Sequence, residues 1–114
     1  MGEPRITASV LKVLAGLLAE PGAQRYGLEL MQSSGLPSGT LYPILARLER
    51  AGWVESRWEE IDPVAEGRPS RRYYRLTPDG VVAARREVAL MQQQMSRAAG
   101  PVPRAHPAAR AQGA

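Results

Sequence analysis

The stretch from Leu36 to Trp53 limits the possible fold more than any other part of the chain. Ser38, Gly39 and Thr40 supply helix-start chemistry, and Leu41, Ile44, Leu45 and Leu48 follow at helical spacing. Gly52 then stops the run before Trp53 opens a strand-like segment. The spacing predicts a helix that starts between Ser38 and Thr40 and ends near Ala51. With Thr40 as N-cap, Pro43 falls in the first turn, where its missing N–H has no helical partner in any case; a start at Ser38 demands a local irregularity.

Two strand patterns follow, Trp53 to Ile61 and Ser70 to Thr77, in which β-branched and aromatic residues alternate with polar ones. Between them Pro63, Gly67 and Pro69 mark a hairpin tip. Arg68, Arg71, Arg72 and Arg75 lie within eight residues that contain no acid, a local density suited to phosphate. A helix with a free front followed by a basic hairpin is the order of a winged-helix DNA reader.

Upstream, Thr7 is the expected N-cap of a first helix through about Glu20, with Val10, Leu11, Val13, Leu14, Leu17 and Leu18 as its apolar face. A second helix is expected from Gln24 or Arg25, with Gly27 inside it at some cost, until Ser33, Ser34 and Gly35 close it. Downstream, Thr77-Pro78-Asp79-Gly80 restarts a helix, with Thr as cap, Pro at the first helical position and Asp set against the helix dipole. In that last helix Val81, Ala84, Val88, Met91, Met95 and Ala98 recur in steps of three and four, a coiled-coil-like seam. At 1.5 Å per residue the rod is roughly 30 Å long, more than so small a domain needs for itself, and a homodimer is expected. The division is therefore 1–77 winged helix-turn-helix, 78–99 dimerisation helix and 100–114 a Pro, Ala, Arg and Gly tail too poor in apolar bulk to fold. The fold class is mainly α with a two-stranded β wing.

Composition narrows the function. With 114 residues there is room for one small domain. The net charge of +4 comes almost wholly from arginine, Lys12 being the sole lysine. The chain has no Cys, and its one histidine, His106, sits in the tail. No thiolate metal site, Ser-His-Asp triad or multi-His site can be assembled. Glu59 and Glu60 are adjacent on a strand, point to opposite faces and read as solvated surface, so no enzyme is expected. No cofactor is expected. No apolar run reaches the roughly 18 residues of a membrane span and no signal-peptide pattern opens the chain, so the expected location is cytoplasmic.

The residues expected at DNA are Ser38, Gly39, Thr40, Tyr42 and Pro43 at the front of the third helix, with Arg47 one turn on. Ser38 and Thr40 could be simple caps instead, and Tyr42 could pack on the second helix. Arg68, Arg71 and Arg72 are expected to hold phosphate, while Arg75 could face the body of the domain. Trp53, Trp58, Tyr73 and Tyr74 are expected to join sheet to helices as core or half-core aromatics. A winged-helix protein-interaction module without DNA binding is the alternative; the basic wing and the free helix front speak against it.

Tyr26-Gly27-Leu28-Glu29-Leu30, the run Ser38 to Gly52, Trp58-Glu59 and Arg71 to Gly80, in this order and spacing, resemble the PadR family of bacterial transcription regulators. The resemblance covers about Thr7 to Met95. It implies a dimeric winged helix-turn-helix repressor, of the subgroup with a single C-terminal helix, whose two recognition helices address a pseudo-palindromic operator in double-stranded DNA. It further implies release by a small hydrophobic or aromatic effector. Where a relative could place an aromatic at the dimer centre, this chain has Met91 and Met95.

Overall fold

The computed structural model describes residues 3–100. Helix α1 spans Ala8–Leu18 and starts as its sequence requires, with the Thr7 hydroxyl accepting from Val10 N–H at 3.2 Å. Its face of Val10, Val13, Leu14 and Leu17 is buried.

The next segment departs from expectation. Arg25–Tyr26 form a two-residue strand, β1, and helix α2 covers Gly27–Ser34. Gly27 is thus the first helical residue rather than an interior one. A Cβ there would overlap the hydroxyl of Tyr42, so glycine serves close packing between helices. Gly35, at φ 74°, ends α2 in the left-handed conformation that a residue without Cβ adopts readily.

Helix α3 spans Ser38–Arg50 and buries Leu41, Ile44, Leu45 and Leu48. Strands β2 (Val54–Trp58) and β3 (Arg72–Leu76) form the expected hairpin, with Val54 opposite Leu76 and Trp58 opposite Arg72. The connection holds one helical turn, α4 (Pro63–Glu66), capped by Asp62. The sheet has three strands in the order β1-β3-β2, because β1 pairs antiparallel with β3 through Arg25–Tyr74 and Tyr26–Tyr73.

Helix α5 spans Pro78–Ala99, with the Thr77 hydroxyl accepting from Gly80 N–H at 2.9 Å. Its first turns close the core: Ala83 and Ala84 are buried with α1, α3, Trp53 and Leu76. Trp53 and Tyr74 are core, as the sequence suggested, but Trp58 is 58% exposed. At the far end of the hairpin its indole meets no core and instead carries the Arg72 guanidinium 5.0 Å from its ring centre. The expected tail beyond Gly100 lies outside the described residues.

Candidate nucleic-acid interface

Ser38, Gly39, Thr40, Tyr42, Pro43 and Arg47 are all exposed on α3, opposite its buried leucines. Neither hydroxyl residue is a cap. The helix starts earlier than Thr40, Pro37 occupies the N-cap position, and no side chain bonds the helix start. Thr40 N and Leu41 N both reach Pro37 O, at 3.0 and 2.9 Å. Pro43 therefore lies inside the helix, and it withholds the N–H that the Gly39 carbonyl would otherwise receive. That is the irregularity an early start requires. Gly39 has no left-handed backbone, and open space lies where its Cβ would be. Nothing within the described residues demands glycine there, whereas an outside surface approaching the helix front would gain from its absent side chain.

Tyr42 is both packed and available. Its hydroxyl rests against Gly27, its ring lies 6.5 Å from that of Tyr74, and it is still 42% exposed. Beside it opens a cleft of about 360 Å³ lined by Tyr26, Leu28, Gln32, Tyr42, Arg71 and Arg72 among others. The front of α3 and the base of the wing therefore share one surface.

The wing arginines differ from one another, which their common stretch of sequence conceals. The acid-free character expected of them ends in the hairpin, where the neighbouring strand supplies carboxylates. Arg68, expected at phosphate, donates to both carboxylate oxygens of Glu59, at 2.6 and 2.9 Å, so its guanidinium is engaged within the wing. Arg75 pairs with Glu55. Arg72 donates to Ser56 Oγ at 2.8 Å, and Ser56 in turn donates to Glu49 of α3 at 2.7 Å. Arg72 thus ties wing to α3, standing 4.0 Å from Glu49 as well, with its side chain still 38% exposed. Arg71 alone of the four has no ion pair among the described residues. Its guanidinium lies 4.6 Å from the ring centre of Tyr26 and donates to that hydroxyl at 2.9 Å.

Glu59 is the hub of the wing base. Besides Arg68 it receives the Arg71 backbone N–H at 3.2 Å and the Tyr73 hydroxyl at 3.2 Å. The Arg68 hydrogen bonds first, then these two donors, outweigh desolvation and lower its pKa from 4.5 to about 2. The Tyr73 hydroxyl is pushed up to about 12, first by its hydrogen bond with Tyr26, then by desolvation and Glu59. Because the folded-state pKa of Glu59 is the lower one, its stabilising contribution is complete above the unfolded value and fades as pH falls from 4.5 to about 2. Glu59→Gln should therefore melt below the wild type at neutral pH, with the gap closing across that window. A gap constant through acid would contradict the assignment.

The expected seam on α5 is divided. Ala84 is fully buried in the core of its own chain and so is not free for a partner, while Val81 is half-buried against that core. Val88 and Met91 are half-buried, while Leu90 and Met95 are exposed, Met95 at 63%. No described residue of α5 beyond Ala84 is fully buried.

Helices α2 and α3 joined through Gly35-Leu36-Pro37, with a β-hairpin following, define a winged helix-turn-helix protein. The chain belongs to the transcriptional regulator PadR-like family, whose model matches residues 13–86. That family is one of regulators, not of enzymes. Among solved structures, a PadR family transcriptional regulator from Eggerthella lenta is similar at 30% identity, covering 82% of this chain and 77% of that one with a TM-score of 0.55. A PadR-like transcription factor from Bacteroides fragilis matches at 24% identity, 76% and 84% coverage and a TM-score of 0.60. The fold is also shared with BpsR of Bordetella bronchiseptica, whose DNA binding is regulated by 6-hydroxynicotinic acid, at 17% identity, 98% and 79% coverage and a TM-score of 0.70. No curated protein matches the sequence. No helix among the described residues is long and apolar enough to cross a membrane.

Two features of this surface are not legible in the sequence. The Glu59 hub forms between residues that meet only once the hairpin closes, and the cleft depends on β1, too short to show a period. The spacing of Tyr26 and Glu29 is the available signal for β1: the Glu29 carboxylate accepts from Tyr26 N–H at 2.9 Å, which fixes the strand-to-helix corner.

Proposed function

We propose that the protein is a homodimeric, sequence-specific DNA-binding repressor, released by a small hydrophobic or aromatic effector. In this reading residues 1–77 form the reading unit, and α5 (78–99) joins two copies so that their α3 helices enter half-sites of a pseudo-palindromic operator. The observation that carries it is the front of α3. Ser38 and Thr40 project hydroxyls with no capping duty, beside a glycine with no internal reason and ahead of Arg47, which has no ion pair among the described residues. Hydroxyls and bare backbone at a helix N-terminal end, with an unpaired guanidinium further along the helix in its last turn, suit groove and phosphate contact. An interaction module without DNA binding has no use for that set.

Footprinting the purified protein on the DNA upstream of its own coding region tests this, because regulators of this type often control themselves or a neighbour. Protection of two half-sites about one helical turn apart, roughly 34 Å, is expected. Binding without any protected sequence would contradict it.

The wing makes a narrower prediction. Among the described residues Arg71 makes no ion pair, whereas Arg68 is committed to Glu59. Arg71→Ala should lower the slope of log affinity against log salt by about 0.9 for each phosphate the side chain neutralises, on operator and random DNA alike. Arg68→Ala should change wing stability more than that slope. Equal slopes for Arg71→Ala and wild type would remove Arg71 from the phosphate-binding set.

A further inference from the structure

Side chains on a strand alternate between faces, so Val54, Ser56 and Trp58 of β2 share one face of the hairpin. Val54 is buried in the core, and Ser56 reaches Glu49 of α3 at 2.7 Å. Trp58 continues the same face past the end of the core, 58% exposed, with Arg72 opposite it on β3. The Arg72 guanidinium lies 5.0 Å from the indole centre, and its side chain also lines the cleft beside Tyr42. One surface therefore runs from the front of α3 over Arg72 to the Trp58 ring. The tip of the hairpin has the opposite character. From Glu60 to Gly67 there is no Lys or Arg. Glu60, Asp62 and Glu66 are exposed there and make no ion pair among the described residues. Phosphate repels such a tip, whereas the base of the wing carries Arg71 and Arg72.

We infer that the wing touches DNA with Trp58 and Arg72 rather than with its tip: the indole lies against the sugar–phosphate chain at the edge of the groove that α3 enters, and the acidic tip points away from the duplex. This rests on the DNA-binding reading and assigns to it a contact that the basic residues alone do not supply. The flat indole matches the apolar face of a deoxyribose, its N–H donates to a phosphate oxygen, and the neighbouring guanidinium supplies the charge. A contact to sugar and phosphate carries no base information, so Trp58 fixes the position of the wing and leaves the reading of bases to α3.

Tryptophan fluorescence of the unmodified full chain tests this first. Trp53 is 6% exposed, so quenching by acrylamide reports chiefly on Trp58, and it should fall when a saturating duplex is added. Trp58→Ala should weaken operator and scrambled duplex alike, by roughly fivefold or more, and Trp58→Phe should recover most of the loss. The slope of log affinity against log salt should not change, because an indole releases no counterions; a slope lower by about 0.9 would mean that Trp58 acts only by holding Arg72. The double variant Glu60→Gln, Glu66→Gln should bind within about twofold of wild type at about 0.15 M salt, where charges more than about 8 Å from a phosphate are largely screened. Undiminished quenching in the complex, a Trp58→Ala protein that binds as wild type, the lowered slope, or a strong gain in affinity from the Glu60 and Glu66 changes would each overturn the inference. A wild type that binds no duplex would instead sink the DNA reading itself, so the two failures are distinguishable.

Discussion

The double variant Val88→Glu, Met91→Glu is expected to sediment as a monomer at micromolar concentration, and the unmodified protein as a dimer. Helix α5 has 22 residues, and only its first turns pack into the core. Val88, Leu90, Met91 and Met95 continue beyond with incomplete cover, more apolar surface than a polar helix end carries by chance. In a two-fold interface each substitution enters twice, so four carboxylates would face one another where the methyl and thioether groups met. The loss should reach DNA as well. Two linked reading heads gain on the order of a hundred- to ten-thousand-fold over one, and the monomer forfeits that gain. An unmodified protein that is monomeric at micromolar concentration would contradict the α5 assignment, as would a double variant that remains dimeric.

Gly80→Ala should be the most damaging small substitution in the chain. Gly80 is buried at the start of α5, and a Cβ there would overlap the carbonyl oxygen of Trp53. The obstacle is backbone, and that oxygen already accepts from Thr77 N–H at 3.0 Å, so it cannot swing aside without opening the junction between β2 and α5. Overpacking costs about 1 to 3 kcal/mol where side chains yield, and a backbone collision belongs at or above the top of that range. For a domain of this size a loss of about 3 kcal/mol lowers the melting temperature by roughly 12 to 24 °C. Thermal unfolding followed by circular dichroism measures this directly. A variant within a few degrees of wild type would mean that α5 does not press on Trp53 as described.

What the sequence discloses and what it hides divide along a physical line. Helices α1, α3 and α5 and the β2–β3 hairpin are legible, because each repeats a local period or carries its cap beside it: Thr7 before Val10, Thr77 before Gly80. Strand β1 is not, since two residues have no period and Arg25–Tyr26 is a strand only because β3 lies alongside. The capping preference of a hydroxyl points to Thr40 as the start of α3, yet Pro37 holds that position. At the site, the exposed set on α3 follows from the burial of Leu41, Ile44, Leu45 and Leu48. The state of each wing arginine does not follow, because Glu59 and Arg68 are nine residues apart and meet across the hairpin. Spacing alone puts Ala84 in the seam, and spacing cannot say which chain covers a helix face.

The front of α3 is proposed to read sequence, and Thr40→Ala isolates that role. Thr40 is exposed and makes no capping hydrogen bond, so its loss should leave the fold and the melting temperature unchanged. Wild type and variant are titrated against the footprinted operator and a scrambled duplex of equal length at a single salt concentration. Operator binding is expected to weaken by about 1 to 3 kcal/mol, with affinity for the scrambled duplex unaltered. No loss on either duplex, or an equal loss on both, would contradict it.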